Sequence, residues 1–476
     1  MMVWSGAIDR ALRRGAARQQ AGALAIVAFA ALGAASGSIA RAESLAGALA
    51  KAYLNNPDIN QQRAALRAID EGVPKAESGY RPNVTLNGEL GTQYTNAATP
   101  GSKTLNATTF PRDVSLSVTE NLWNGNRTEN GVRQAESNVL GSREQLRNTE
   151  QNTLQDASRF YMDVLRDTAI LNLDTNNVEV LVEQLRQTRD RFAVGEVTRT
   201  DVAQAEASLA QGRSAALTAQ SNLRASIASF RRVIGEDPRM LEPGRPVERG
   251  LPKTLEAAIA ISQIEHPSIQ AALHGVDAAE LNVKVLEGAL YPTINLVGTV
   301  TEGVEVQGVP NSTQFSASLL GQLSVPIYDG GLTYANIRQA KEQLGQTRLQ
   351  VDLQRDIVRA AVVSAWGVYA NSKAQIESAQ AQVSASEIAL NGVREEAKVG
   401  QRTTLDVLNA QQTLLNARVS LVTAQHDQVV ASYALLSAIG RLSVDVLALR
   451  AARYDASIHF DQVKDKWWGL RTPDGR

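Results

Sequence analysis

Cysteine is absent from this 476-residue chain. That excludes disulfides, thiolate metal sites, a cysteine nucleophile and an acylated N-terminal cysteine, so no covalent tether to lipid is expected. Histidine is nearly as scarce. His266, His274, His426 and His459 are scattered without metal-ligand spacing, and there is neither a Gly-x4-Gly-Lys phosphate loop nor a Gly-x-Ser-x-Gly elbow. The chain is therefore not expected to be an enzyme, to hold a metal or to need a cofactor. A net charge of −1 gives no reason to invoke nucleic acid. Aromatic residues make up only 5%, a composition that suits long helices packed closely with little bulk between them. Beyond the N-terminal region no stretch approaches the ~18 uninterrupted apolar residues of a spanning helix, so the product is expected to be soluble or to insert as β-strands.

Residues 1–42 read as a signal peptide. Arg10, Arg13, Arg14 and Arg18 form a basic region, Gly22 to Ala35 is an apolar run too short to span, and Ala40-Arg41-Ala42 offers a small-x-small cleavage site. The mature chain is expected to start at Glu43, beyond the inner membrane.

What is abundant is self-similarity. Residues 44–91 reappear 210 positions later at 254–301, with Asn56-Pro57 against His266-Pro267 and Tyr80-Arg81-Pro82 against Leu290-Tyr291-Pro292. Residues 121–235 reappear 205 positions later at 326–440, with Arg133-Gln134-Ala135 against Arg338-Gln339-Ala340 and Val194-Gly195 against Val399-Gly400. Such a period far exceeds the roughly 20–50 residues of a solenoid unit, so each copy is a large structural half. We read 43–253 as the first repeat, 254–440 as the second, and 441–476, with 236–252, as an equatorial belt.

Each half begins with short helices, at 45–55 and 57–78 in the first and ending at 267–289 in the second. The period then changes from helical to alternating. Val84, Leu86 and Leu90 alternate with Thr85, Asn87 and Glu89, and Val114, Leu116 and Val118 with Ser115, Ser117 and Thr119. This predicts a β-hairpin over 82–122 with a loop at 95–111, and a second hairpin over 292–327. Each strand is about ten residues long with one apolar face, as a transmembrane barrel strand requires. Tyr80, Tyr94, Phe110, Trp123, Tyr291, Phe315 and Tyr328 fall at or near strand ends, where rings mark a water–lipid boundary. Four such strands cannot close within one chain, and an open edge in lipid leaves backbone groups unsatisfied, so several copies are needed. Three would give twelve strands around a lumen wide enough for water.

From Thr128 to Phe192 and from Thr333 to Ala397, roughly 65 residues lack proline, enough for helices of about 100 Å. Tips are predicted at 193–200 and 398–405, each followed by a return helix of about 35 residues. Leu408, Leu415, Val422, Val429 and Leu436 recur every seven residues beside a second column of Val407, Leu414, Leu421 and Leu435. Two adjacent columns imply helical neighbours on both sides.

The tip Val399-Gly400-Gln401-Arg402-Thr403-Thr404-Leu405-Asp406-Val407-Leu408, on this duplicated plan, resembles the TolC family of outer-membrane efflux and type I secretion channels. The resemblance spans nearly the whole mature chain. It implies a mainly α fold with transmembrane β: a homotrimeric 12-stranded β-barrel in outer-membrane lipid, continuous with a long periplasmic α-helical barrel. It also implies docking to a periplasmic adaptor (membrane fusion) protein and an inner-membrane RND or ABC transporter, for export of drugs or proteins. The docking tips it implies are Val194, Gly195, Val399 and Gly400, with Arg402 and Thr403 alongside. For the family's gate it points to Thr200 and Asp201. The matching partners are Gln425 and Ala397, which cannot make the family's ion pair. For the cation-binding constriction it points to Asp406 and Asn409, with one carboxylate where the family has two. Whether Asp201 and Asp406 gate the tunnel or cap helices stays open at this stage. The rival reading is a non-conducting periplasmic coiled-coil adaptor or stalk, which shares the heptads but has no use for four ring-ended strands.

Overall fold

Xaa-Pro steps divide the shorter helices. In the computed structural model, which describes residues 42–98, 100, 105–306 and 308–475, α1 (Leu45–Asn55) ends at Asn56 and α2 (Pro57–Asp70) begins there. The Asn56 Oδ1 accepts from the Asp58 and Ile59 amides at 2.8 and 3.4 Å, and Pro57 occupies the first helical position, where an N–H would lack a helical partner anyway. The single helix expected over 57–78 is interrupted. Pro74 has no N–H to offer the Asp70 carbonyl, so α2 stops at Asp70 and α3 (Gly72–Glu77) restarts the helix. Apart from Ala42, the signal-peptide reading of 1–42 lies outside the described residues.

The strands follow: β1 (Asn83–Leu90), β2 (Gln93–Ala97), β3 (Leu105–Thr109) and β4 (Arg112–Trp123). Residues 95–111 are therefore not the plain loop expected. β2 and β3 pair antiparallel as a separate ladder beyond the main sheet. Hydroxyl and amide side chains crowd both of its faces, so it carries no hydrophobic alternation to betray it. The long helix α4 (Arg127–Ala193) and its return helix α5 (Arg199–Ile234) complete this half.

The later elements are α6 (Leu255–Glu265), α7 (Pro267–Glu287), β5 (Thr293–Val304), β6 (Thr313–Ser324), α8 (Leu332–Lys398), α9 (Thr404–Ala438) and α10 (Ala456–Val463). α4 and α8 are both 67 residues long, which is about 100 Å at 1.5 Å per residue. The hairpins join into one antiparallel sheet in the order β1-β4-β5-β6, so β1 and β6 are its edges.

Shorter helices abut the return helices end to end. Asn56 Nδ2 donates to the Val233 carbonyl at the end of α5 (2.9 Å). At the end of α9, Arg441 grips Glu265 with two hydrogen bonds of 2.7 and 2.6 Å, while Gly440 lies against the His266 backbone. Between these joints lies the main core, where Tyr161, Phe230, Leu154, Leu435 and Leu436 are all but completely buried. Truncating such a side chain costs about 2–5 kcal/mol. The two apolar columns of α9 face different partners: Leu408 packs with Leu181 and Leu209 of α4 and α5, whereas Val407 and Leu414 pack with Leu390 of α8.

Buried polar groups brace the same region. His426 Nε2 lies 2.9 Å from Asp163 and its Nδ1 2.8 Å from Asp427, and Gln411 donates to Asn177 (3.1 Å). The segment between α5 and α6 adds a bridge from Leu241 to Glu43 and a bond from the Val247 amide to Ser432 (3.0 Å). Residues 441–455 pack against α1 and α4. The far end of the expected equatorial segment leaves that level, because Lys466 and Trp467 reach Arg81, two residues before β1.

Candidate functional site

Each long helix ends in the same turn. Gly195 (φ +79°) donates to the Phe192 carbonyl at 3.0 Å and Glu196 to that of Arg191 at 2.9 Å. Gly400 (φ +80°) and Gln401 repeat the pattern with Ala397 and Glu396 at 3.2 and 2.9 Å. These paired bonds define a Schellman motif, whose left-handed residue favours glycine. The turn leaves Val194 and Val399 outside it, 72% and 71% exposed. An ion pair closes over each tip: Arg191 with Glu196 at 3.0 Å, Arg402 with Glu396 at 2.9 Å.

The return helices start on matching capping boxes. Asp201 accepts from the Thr198 amide (2.8 Å) and hydroxyl (2.7 Å), and its own amide donates back to the Thr198 hydroxyl (3.3 Å). Asp406 does the same with Thr403, at 2.9, 2.9 and 3.2 Å. The Thr198 hydroxyl and amide hold the Asp201 carboxyl below the usual range, and the Thr403 amide and hydroxyl do so for Asp406. Both aspartates are thus engaged in capping their own helices, whatever else they do. The spacing Thr-x-x-Asp, present twice, is a readable sign of this.

Of the other residues singled out, Thr200 and Asn409 are exposed beside these caps, and Arg402 and Thr403 flank the second tip. Gln425 is exposed but elsewhere. Leu408 shares a cluster with Ala205 and Leu209, so α5 and α9 begin at one level. Gln425 lies seventeen residues beyond Leu408, about 25 Å along the helix, and the structure does not bring it to Asp201. Ala397 packs against Val407 and Leu390. Glu196 and Glu396, which lock the tips, were not among the expected residues.

At the other end the sheet has two chemically distinct faces. Adjacent strands align Leu86, Leu116, Val300 and Ala317 in one row and Asn87, Ser115, Thr301 and Ser316 in the next. Two rows from Leu86 in the other direction, on the same side, lie Val84, Val118, Gly298 and Leu319. Exposure runs opposite to that of a water-soluble sheet: along β4, Val114, Leu116 and Val118 are exposed while Ser115, Ser117 and Thr119 are half-buried. Rings collect at the foot, where Trp123 and Tyr291 meet edge to face at 6.3 Å. No helix among the described residues is long and apolar enough to cross a membrane.

An open-edged sheet with one exposed apolar face, on paired 67-residue helices with bare tips, defines the chain of a membrane channel with a helical extension. The chain belongs to the outer membrane efflux protein family, whose model matches residues 48–236 and 259–441. It is 44% identical over 443 residues to the outer membrane efflux protein BepC of Brucella suis biovar 1, covering 92% of this chain and 94% of that protein. It is 26% identical over 432 residues to the outer membrane protein TolC of Escherichia coli K12, covering 87% and 86%. The Campylobacter jejuni CmeC outer membrane channel shares the fold, with a TM-score of 0.77 over 88% of this chain and 89% of that one at 17% identity. The protein is accordingly an efflux channel of the outer membrane that reaches into the periplasm, and the adaptor-or-stalk alternative is not favoured.

Proposed function

We propose that three copies assemble so that β6 of one pairs with β1 of the next, closing a 12-stranded barrel whose hydroxyl-rich face lines a water-filled lumen. The carrying observation is the two-faced sheet with β1 and β6 left as edges: in hydrocarbon each unpaired backbone group costs several kcal/mol. Each half, 43–253 and 254–440, supplies two strands, one continuous helix and one jointed column, giving twelve columns around a periplasmic tunnel. Residues 236–252 and the first part of 441–476 belt its equator.

In this reading the tips at Val194-Gly195 and Val399-Gly400, with Arg402 and Thr403, dock a periplasmic adaptor protein that links the tunnel to an inner-membrane RND or ABC transporter. An exposed valine on a rigid turn gains nothing in water and fits an apolar socket. Thr200, Asp201, Asp406 and Asn409 line the narrow end. The three Asp406 carboxylates form a cation-attracting ring weaker than one with six charges. The Brucella relative is named for efflux, which supports small-molecule cargo; protein cargo by type I secretion uses the same passage. The protein acts by conducting and performs no catalysis.

The test is the mass of the purified protein in detergent together with its conductance in a planar bilayer. A three-copy particle with stepwise current is expected. A stable single copy without current would refute the assembly. Deletion of the gene, with drug sensitivity compared against the secreted proteins, reads the cargo.

A further inference from the structure

Past the core the C-terminal segment runs from α1 along α2 towards the sheet. The Tyr454 amide donates to the Tyr53 hydroxyl (3.1 Å), and His459 Nδ1 lies 2.9 Å from Asp70, the last residue of α2. Arg81 then donates to the Lys466 carbonyl (2.8 Å) and lies over the Trp467 ring at 4.9 Å. Since β1 begins two residues after Arg81, Trp467 stands at the foot of the sheet, among the rings that mark its boundary. Trp468 and Leu470 follow at 87% and 102% exposure. Two indoles and a leucine held in water would be an uncompensated apolar cost. Their setting gives them a solvent: they continue the ring girdle of the sheet, and Lys464, Lys466 and Arg471 outnumber Asp465 among residues 464–471, while Arg81 is paired with Glu77 at 3.0 Å. Indole rings with flanking cations are the composition favoured where acyl chains meet phosphate.

We propose that residues 464–471 form an interfacial foot in the headgroup layer of the periplasmic leaflet. Trp467, Trp468 and Leu470 insert among the acyl-chain ends, and Lys466 and Arg471 sit at lipid phosphates. The proposal rests on the outer-membrane reading of the sheet and adds a second, non-barrel contact with the bilayer outside the strands.

The test uses the full-length protein in vesicles of phosphatidylethanolamine, phosphatidylglycerol and brominated phosphatidylcholine. Subtracting the emission of Trp467→Phe/Trp468→Phe from that of the unaltered protein isolates the two rings, and Trp123→Phe isolates a ring at the foot of the sheet. Bromolipid is expected to lower the emission of the 467/468 pair by about twofold or more, as it does for a ring at the interface, with little quenching by aqueous iodide. Iodide quenching without bromolipid quenching would overturn the foot. Protection from both would also overturn it, since a neighbouring copy would then cover the rings. In either case bromolipid quenching of Trp123 would leave the membrane reading intact, whereas its absence would overturn both.

Discussion

Gly235 and Gly440 occupy matching places at the ends of the two return helices, and only one of them is crowded. Both are left-handed, at φ +93° and +85°. A Cβ on Gly235 would meet nothing within 4 Å, whereas one on Gly440 would come within 2.6 Å of the His266 Cα and 3.0 Å of its nitrogen. Alanine at either site incurs the left-handed penalty of about 1–2 kcal/mol. At Gly440 the obstruction is backbone, which cannot rotate aside, so the joint with α7 must open at a further cost of about 1–3 kcal/mol. Gly235→Ala is therefore expected to cost about 1–2 kcal/mol and Gly440→Ala about 2–5. Guanidinium unfolding of the detergent-solubilised protein, followed by helical circular dichroism at fixed protein concentration, reads the difference directly. Equal midpoint shifts, or a larger one for Gly235→Ala, would refute the view that α9 and α7 meet as abutting columns.

Burial, with the nearby Arg147 cation second, pushes the His266 imidazole down to about 4. The unfolded chain takes up that proton below about pH 6.5 and the folded one does not, so stability should fall as pH drops from about 6.5 towards 4, by at most about 3 kcal/mol. His266→Asn, which copies the Asn56 cap, should flatten that slope; an unchanged slope in unfolding at pH 7 and pH 5 would count against it. Val194→Asp/Val399→Asp should abolish export in cells while leaving the assembled channel and its bilayer conductance intact, and full export would remove the tips from adaptor docking. Asp406→Ala should weaken block of single-channel current by trivalent cations. Block unchanged from that of the unaltered protein would mean that Asp406 only caps α9.

Features built from local chemistry were legible before any coordinates. Roughly 65 residues without proline announced α4 and α8, Val-Gly announced their ends, and alternation begun by Val-x-Leu announced β1 and β4. The interruption at Glu71 was also written locally, in Pro74, but its effect falls three residues upstream and is easily passed over. β2 and β3 escaped because neither face is apolar. What pairs across hundreds of positions had no local sign: nothing near His426 in sequence points to Asp163, and nothing near Arg81 points to Trp467. Gln425 shows a different kind of information that likeness does not carry. A position matched by likeness alone carries no height, and only the packing of Leu408 with Leu209 places it far above the tip.

The joints that flank the core set how the shaft answers to load. α4 and α8 carry an unbroken ladder of backbone hydrogen bonds for 67 residues each, and such a ladder resists winding and unwinding all along its length. The neighbouring columns change helix at Asn56 against Val233 and at Glu265 against Arg441. End-to-end contacts of this kind bear compression well, but a few side-chain bonds transmit little torque. A twist applied at the tips therefore travels towards the sheet through α4 and α8, while α5 and α9 can swivel on their seams.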